Sequence, residues 1–276
     1  MSNRLEGKRC LIVGGTSGIG LATARRFLQE GARLVIAGLD DGNGPSAVQE
    51  LRAFGDVSFL ACDATSGTQV AALFAETAQR LGGVEIMYHV AGISGRPHGD
   101  GALHECTEAG WQVTLDANLK CVFLTNRAAV RQFLQQGSGG TILNMASILA
   151  LSPSPHFFDT FAYAASKGGV IAMSRQAAAR YAADQIRINV LCPGLIDSPM
   201  AARAVSEPAI YAFLQSKQPL IPGPGKADDC AEAAVFLCSD EARFITGIVL
   251  PVDGGWSISD GQLSSPDKNE RCGTVC

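Results

Sequence analysis

Seven short apolar runs, most of them followed by a stretch of helical length, constrain this chain more than any other feature. The runs are RCLIVGG (9–15), RLVIAG (33–38), VSFLACD (57–63), VEIMYHVAG (84–92), GTILNMAS (140–147), IRINVLCPG (186–194) and GIVLPVDGG (247–255). They read as continuous rather than alternating apolar segments, the pattern of strands covered on both faces. The segments between them predict helices near 19–30, 68–81, 111–136, 163–183 and 228–238. Strands alternating with helices argue for an α/β architecture, a doubly wound parallel sheet whose right-handed crossovers place helices on both faces. With 47% hydrophobic against 17% charged residues, the composition suits the large buried core such a sheet needs. No internal repeat or linker interrupts the pattern, so residues 1–276 are read as one domain. Two stretches look irregular: ISGRPHGDG (93–101), and 195–226 with a short helical piece near 207–216. The polar tail SSPDKNERCGTVC (264–276) is expected to be loosely ordered.

Several function classes fall away on composition. A net charge of −4 without a Lys/Arg-rich run leaves no electrostatic footprint for nucleic acid. No apolar run approaches the roughly 18–20 residues of a membrane span. CLIV, after Arg9, is too short for the apolar core of a signal peptide. Nine cysteines are scattered without a pairing pattern or metal-type spacing. The expectation is a soluble, cytoplasmic protein with no nucleic-acid or membrane partner and no metal. His89 and His156 lack ligand spacing to each other and to Cys or Asp, although His156 could face a substrate.

Two motifs carry chemistry. VGGTSGIG (13–20) follows the first strand and opens the first helix, the context in which a glycine loop cradles phosphate. Gly14 permits the tight turn, Gly18 and Gly20 permit close backbone approach, and Thr16 and Ser17 add hydroxyl donors. The free N–H groups and partial positive charge of the helix N-terminus favour an anion there. FAYAASKGG (161–169) sets Tyr163 and Lys167 one helical turn apart on one face. An ammonium so close favours the phenolate, and a tyrosine whose ordinary pKa is about 10 needs such help to serve as a base.

The spacing Gly-x-x-x-Gly-x-Gly, with the landmarks that follow it in order, resembles the short-chain dehydrogenase/reductase family over roughly residues 6–257. CDAT carries Asp63 and Ala64, HVAG stands where the family has Asn-Asn-Ala-Gly, DANLK supplies Asn118, and NMAS supplies Ser147. CPGLIDSPM matches the Pro-Gly turn that meets nicotinamide, and GIVLPVDGG the closing strand. The resemblance implies a single Rossmann-type domain with a parallel seven-stranded sheet. It implies hydride transfer between a nicotinamide cofactor and a secondary alcohol or ketone, with Tyr163 as acid/base. Lys167 would support the phenolate and bond the nicotinamide ribose. Ser147 would hold the substrate oxygen, and Asn118 would hold a relay water. Cofactor contacts are implied for Gly14, Thr16, Ser17, Gly18, Ile19, Gly20, Asp63, Ala64, Val90, Ala91, Gly92, Tyr163, Lys167, Pro193, Gly194, Ile196 and Ser198.

The chain departs from this pattern in three places. Val13 and His89-Val90 replace residues that are commonly polar, and an apolar contact between the first and fourth strand ends is expected in their place. Gly38 stands where NAD users show aspartate, yet Leu39 and Ser17 replace the basic residues of NADP users. Asp40 and Asp41 make the local field negative, so NAD is favoured and NADP remains possible. Ser147 and Tyr163 are sixteen apart, and the extra sequence belongs to ILALSPSPHFFDTF. Leu149, Leu151, Phe157, Phe158, Met200, Tyr211 and Phe213 are expected to wall a mostly apolar substrate pocket. CVFL and VIAM, on the helices at 111–136 and 163–183, fit the paired helices by which this family forms homodimers and homotetramers. The alternative is a catalytically weak NAD(P)-binding regulatory or scaffold protein, against which the four retained polar residues argue.

Overall fold

The structure is a computed structural model that describes residues 3–221 and 223–262. Seven strands form one sheet: β1 (Arg9–Val13), β2 (Arg33–Gly38), β3 (Val57–Ala61), β4 (Ile86–His89), β5 (Gly140–Met145), β6 (Ile186–Pro193) and β7 (Val249–Val252). All are parallel, in the order β3-β2-β1-β4-β5-β6-β7. The winding reverses between β1 and β4, and open α/β sheets bind ligands outside the carboxyl ends of strands at such a reversal.

The helices are α1 (Gly18–Gln29), α2 (Asn43–Leu51), α3 (Gly67–Leu81), α4 (Glu108–Leu115), α5 (Cys121–Gln136), α6 (Phe161–Tyr181), α7 (Ala202–Ser206), α8 (Pro208–Lys217) and α9 (Ala227–Cys238). One core layer packs Phe27 and Leu28 of α1, Val48 and Leu51 of α2, and Val235 and Leu237 of α9 against Ile12, Ile36 and Tyr88. The opposite layer packs Leu73 and Phe74 of α3 and Val130 and Phe133 of α5 against Leu11, Val35, Met87 and Ile142. The central strands are therefore covered on both faces, which is why their apolar residues run without alternation, while β3 and β7 at the sheet edges are only partly buried.

Two elements differ from the sequence-based expectation. Helix α2 was not foreseen, since it begins at Asn43-Gly44-Pro45, residues that favour turns. Burial of Ala47, Val48 and Leu51 against the sheet outweighs that local preference. The helix expected over 111–136 is two helices, α4 and α5, joined by a π-helical turn, Asp116–Lys120. The tail 264–276, with Cys272 and Cys276, lies outside the described residues. Among the described residues, no helix is long and apolar enough to cross a membrane.

Candidate active site

The glycine loop is built by close approach. Gly14 turns the chain out of β1 at φ 93°, a conformation that side chains disfavour. A Cβ there would lie 2.5 Å from the Ala91 amide nitrogen, and one at Gly20 would run into the Gly14 carbonyl. Val90 and Ala91 donate their N–H groups to the Val13 carbonyl at 2.9 and 3.0 Å, fastening the loop after β4 to the end of β1. The Ser17 hydroxyl, just before α1, bonds none of the amides of its first turn, so they keep no side-chain cap.

A cleft of about 400 Å³ opens along this edge. It is lined by Gly14, Thr16, Ser17, Gly18, Ile19 and Gly20 of the loop, and by Val90, Ala91 and Gly92 after β4. Ser147, Tyr163, Lys167, Pro193, Gly194, Ile196 and Ser198 complete that lining. Fifteen of the seventeen expected cofactor contacts, Tyr163 and Lys167 among them, thus share one cavity with Ser147. Asp63 and Ala64 are not among the lining residues, and Asp63 Oδ1 accepts from the Thr65 amide at 2.9 Å and its hydroxyl at 2.7 Å. At the far end, beside Gly38 and Leu39, Asp41 faces the cleft. The Asn43 amide donates to Asp41 Oδ1 at 3.1 Å, and this bond holds the carboxyl below its ordinary pKa.

The cradle fits a nicotinamide dinucleotide, since the positions where a Cβ would collide are those where a pyrophosphate needs bare backbone at a helix N-terminus. Residues able to hold it are Thr16, Ser17 and the α1 amides toward phosphate, and Lys167 toward ribose.

Four polar side chains gather at the other end. Ser147, buried just past β5, begins a 3₁₀ turn in which its Oγ accepts from the Leu149 amide at 3.2 Å. Tyr163 is half-buried on the first turn of α6. Burial raises its pKa above the ordinary value, and the hydrogen bond with Ser147 acts in the opposite direction. Lys167 is 3% exposed, and burial draws its pKa down to about 8. Its Nζ donates to the Met145 carbonyl at 3.2 Å and stands 5.7 Å from the Tyr163 ring centre. With the ammonium turned to a carbonyl and the phenol out of water, desolvation dominates, and a further positive charge is needed.

Asn118 is fully buried in the π-helical turn. Its Oδ1 accepts from the Ile93 amide at 2.8 Å and its Nδ2 donates to the Ile93 carbonyl at 3.0 Å. One N–H and one lone pair are left over. Asp100 is a residue that sequence reasoning missed. It is 5% exposed, and its carboxylate accepts from the amides of Ala162 and Tyr163, both at 2.9 Å. It therefore caps α6 from sixty-odd residues upstream, where Thr160 supplies no side-chain cap. No local motif announces such a contact.

The strand-end departure is also corrected. Val13 pairs with His89 across β1 and β4, and both are buried, but the contact is not simply apolar. The imidazole reaches α5 instead, with Nδ1 2.9 Å from Thr125 Oγ1 and Nε2 3.4 Å from Cys121 Sγ. Burial, then the nearby Lys167 charge, pushes its pKa down to about 3. Between the ordinary His value and pH 3 the unfolded chain takes up a proton that the folded protein refuses. His89 thus costs stability as pH falls below about 6.5, with a limiting slope of about 1.4 kcal/mol per pH unit. His89→Asn should flatten the decline of melting temperature between pH 6 and 4. Parallel wild-type and variant curves would refute this role.

Comparison with known proteins agrees with this geometry. A family model described as enoyl-(acyl carrier protein) reductase matches residues 13–257. The 2,5-dichloro-2,5-cyclohexadiene-1,4-diol dehydrogenase of Sphingobium indicum is 36% identical over 94% of this chain and 99% of its own. The 3beta-hydroxysteroid dehydrogenase 1 of Eggerthella lenta is 35% identical over 95% of this chain and 98% of its own. The solved structure of a short-chain type dehydrogenase/reductase from Mycobacterium ulcerans has a TM-score of 0.86 at 28% identity, covering 92% of this chain and 91% of that one. The chain belongs to the short-chain dehydrogenase/reductase family. It is an NAD(P)-dependent alcohol dehydrogenase or ketoreductase.

The substrate end of this dehydrogenase/reductase differs in detail from expectation. Leu149, Phe158 and Met200 line the cleft as anticipated. Phe157 and Phe213 do not line it, but pack together at 5.1 Å behind its wall. Leu151 and Tyr211 are exposed, as is His156, whose ring meets the edge of Phe157 rather than the cleft. Trp256, fully buried and unforeseen, closes the pocket and donates its Nε1–H to the Ser152 carbonyl at 3.2 Å.

Proposed function

We propose that this enzyme interconverts an alicyclic secondary alcohol and its ketone with NAD as preferred cofactor and Tyr163 as acid/base. The observation that carries this reading is the shared cavity of Ser147, Tyr163 and Lys167 with the glycine loop. Bound there, NAD supplies the hydride acceptor, or NADH the donor. Backbone amides of the loop and of α1 bind the pyrophosphate, and Lys167 bonds the ribose. The Ser147 hydroxyl holds the substrate oxygen, and Tyr163 Oη takes or returns its proton. Lys167, 5.7 Å from the Tyr163 ring centre, would favour the phenolate together with the positive charge that an oxidised cofactor would supply. Asn118 carries the relay of that proton toward solvent through its remaining hydrogen-bonding capacity.

Preference for NAD is supported by Asp41, whose ionised carboxylate lines the adenosine end and would repel a 2′-phosphate. An alicyclic substrate is supported by the apolar wall of Ile148, Leu149, Phe158, Met200 and Trp256. It is supported too by the cyclohexadienediol and hydroxysteroid for which two relatives are named. The whole chain acts as one nucleotide-binding domain, and exposed Phe123 and Leu134 on α5 and Trp111 on α4 support pairing into dimers or tetramers. Among the described residues seven cysteines stand unpaired, which supports a reducing, cytoplasmic setting.

Titration with NADH and NADPH, followed by fluorescence, should give at least tenfold tighter binding of NADH. A screen of cyclic alcohols with the better cofactor should then show turnover. Binding of neither cofactor would overturn the enzyme reading, and tighter NADPH binding would overturn the NAD preference alone.

A further inference from the structure

The substrate end of the cleft is walled mainly by apolar side chains, and two arginines line it from different elements. Arg96 comes from the loop after β4, where a 3₁₀ turn spans Arg96–His98, and Arg203 comes from α7. Arg96 is half-buried and its Nη2 donates to the Phe157 carbonyl at 3.3 Å, which fixes it beside the stretch that joins Ser147 to Tyr163. Among the described residues neither guanidinium has a carboxylate within 4.0 Å.

The electrostatics of this pair are unfavourable as they stand. Burial and then the Arg203 charge make Arg96 harder to keep protonated, while Asp159 and Asp100 act the other way. Asp100 is already committed to the amides of Ala162 and Tyr163, and Asp159 forms no ion pair with Arg96. A planar guanidinium left without an acid, with the charge of an exposed second arginine acting on it in the same cleft, is an arrangement that an oxyanion relieves by bidentate bonding. Ser94 and Thr160, also in the lining, add hydroxyl donors at the same end.

We propose that Arg96 and Arg203 select a substrate carrying a carboxylate, an alicyclic hydroxy or oxo acid whose acid group lies away from the reacting carbon. This rests on the dehydrogenase reading above and narrows its substrate class. Ser147 and Tyr163 then meet the carbinol while the arginines anchor the opposite end, so that the ring lies against Phe158 and Trp256. Anchoring at a distance from the reacting carbon orients it without adding to the chemistry.

The test compares matched acids and methyl esters, cyclohexanecarboxylate and a bicyclic naphthalenecarboxylate each with its ester, binding to the NADH-loaded enzyme. For at least one skeleton the acid should bind tenfold or more tightly than its ester, and the advantage should shrink as ionic strength rises. Arg203→Gln and Arg96→Gln should each bring the acid-to-ester ratio close to one, and Arg203→Lys should retain much of it. Turnover of 4-oxocyclohexanecarboxylate against its methyl ester should show the same preference, chiefly in KM. Equal binding of acid and ester across the pairs would overturn the proposal. A loss of NADH affinity in the glutamine variants with an unchanged acid-to-ester ratio would also overturn it, assigning the arginines to the cofactor's phosphates. Failure of NADH itself to bind would instead overturn the dehydrogenase reading, a separate result.

Discussion

Tyr163→Phe should lower kcat by about 10³-fold while the affinity for NADH changes less than about twofold. The variant removes one oxygen from a half-buried ring and leaves the α6 backbone, Ser147 and Lys167 where they are. What disappears is the titratable hydroxyl that interacts with the Ser147 side chain. Ser147 would still bind a substrate oxygen, so KM should move little. Stopped-flow turnover with a cyclic alcohol, set beside NADH titration of the same preparation, separates these effects. Turnover within tenfold of wild type would show that another group handles the proton.

A second large effect is expected from Asp100→Asn. Asp100 donates nothing to the chemistry, yet both of its oxygens receive amides from the turn that carries Tyr163. An asparagine offers one oxygen where two are needed, and it turns an N–H toward the other donor. Two charge-assisted bonds at a helix N-terminus are worth about 2–3 kcal/mol together, or roughly 5–10 °C in melting temperature for a chain of this size. Fraying of that first turn should also lower kcat about tenfold at a temperature where the variant remains folded. A lower melting temperature with unchanged kcat at 20 °C would make Asp100 a stabilising residue only, with no part in positioning Tyr163.

The parallel sheet was legible because burial on both faces leaves continuous apolar runs, and β2 matched residue for residue at Arg33–Gly38. The glycine loop was legible for a similar reason, since close approach at Gly14 and Gly20 excludes every other residue type. What escaped were features decided by distant partners. Asp100 reads as an ordinary loop residue between two glycines until its contact with α6 is seen. His89 reads as a strand-end substitution until Thr125 and Cys121 receive it. Phe157, Phe158 and Phe213 are chemically alike, and only packing around Trp256 decides which of them faces the cleft. Helix α2 was hidden because its stability comes from the sheet beneath it rather than from its own residues.

The π-helical turn at Asp116–Lys120 makes this site sensitive to residue count as well as to residue type. At its end the Cys121 amide reaches back five positions to the Asp116 carbonyl instead of four, so the helical path from α4 to α5 holds one residue more than a regular α-helix would. Removing one residue from that turn would let the path close to ordinary α-helical spacing with α4 and α5 still in register, and the side chains inside the turn are the ones that would change direction. Asn118 would then swing away from Ile93. The length of the turn, as well as the identity of Asn118, therefore places that side chain against Ile93.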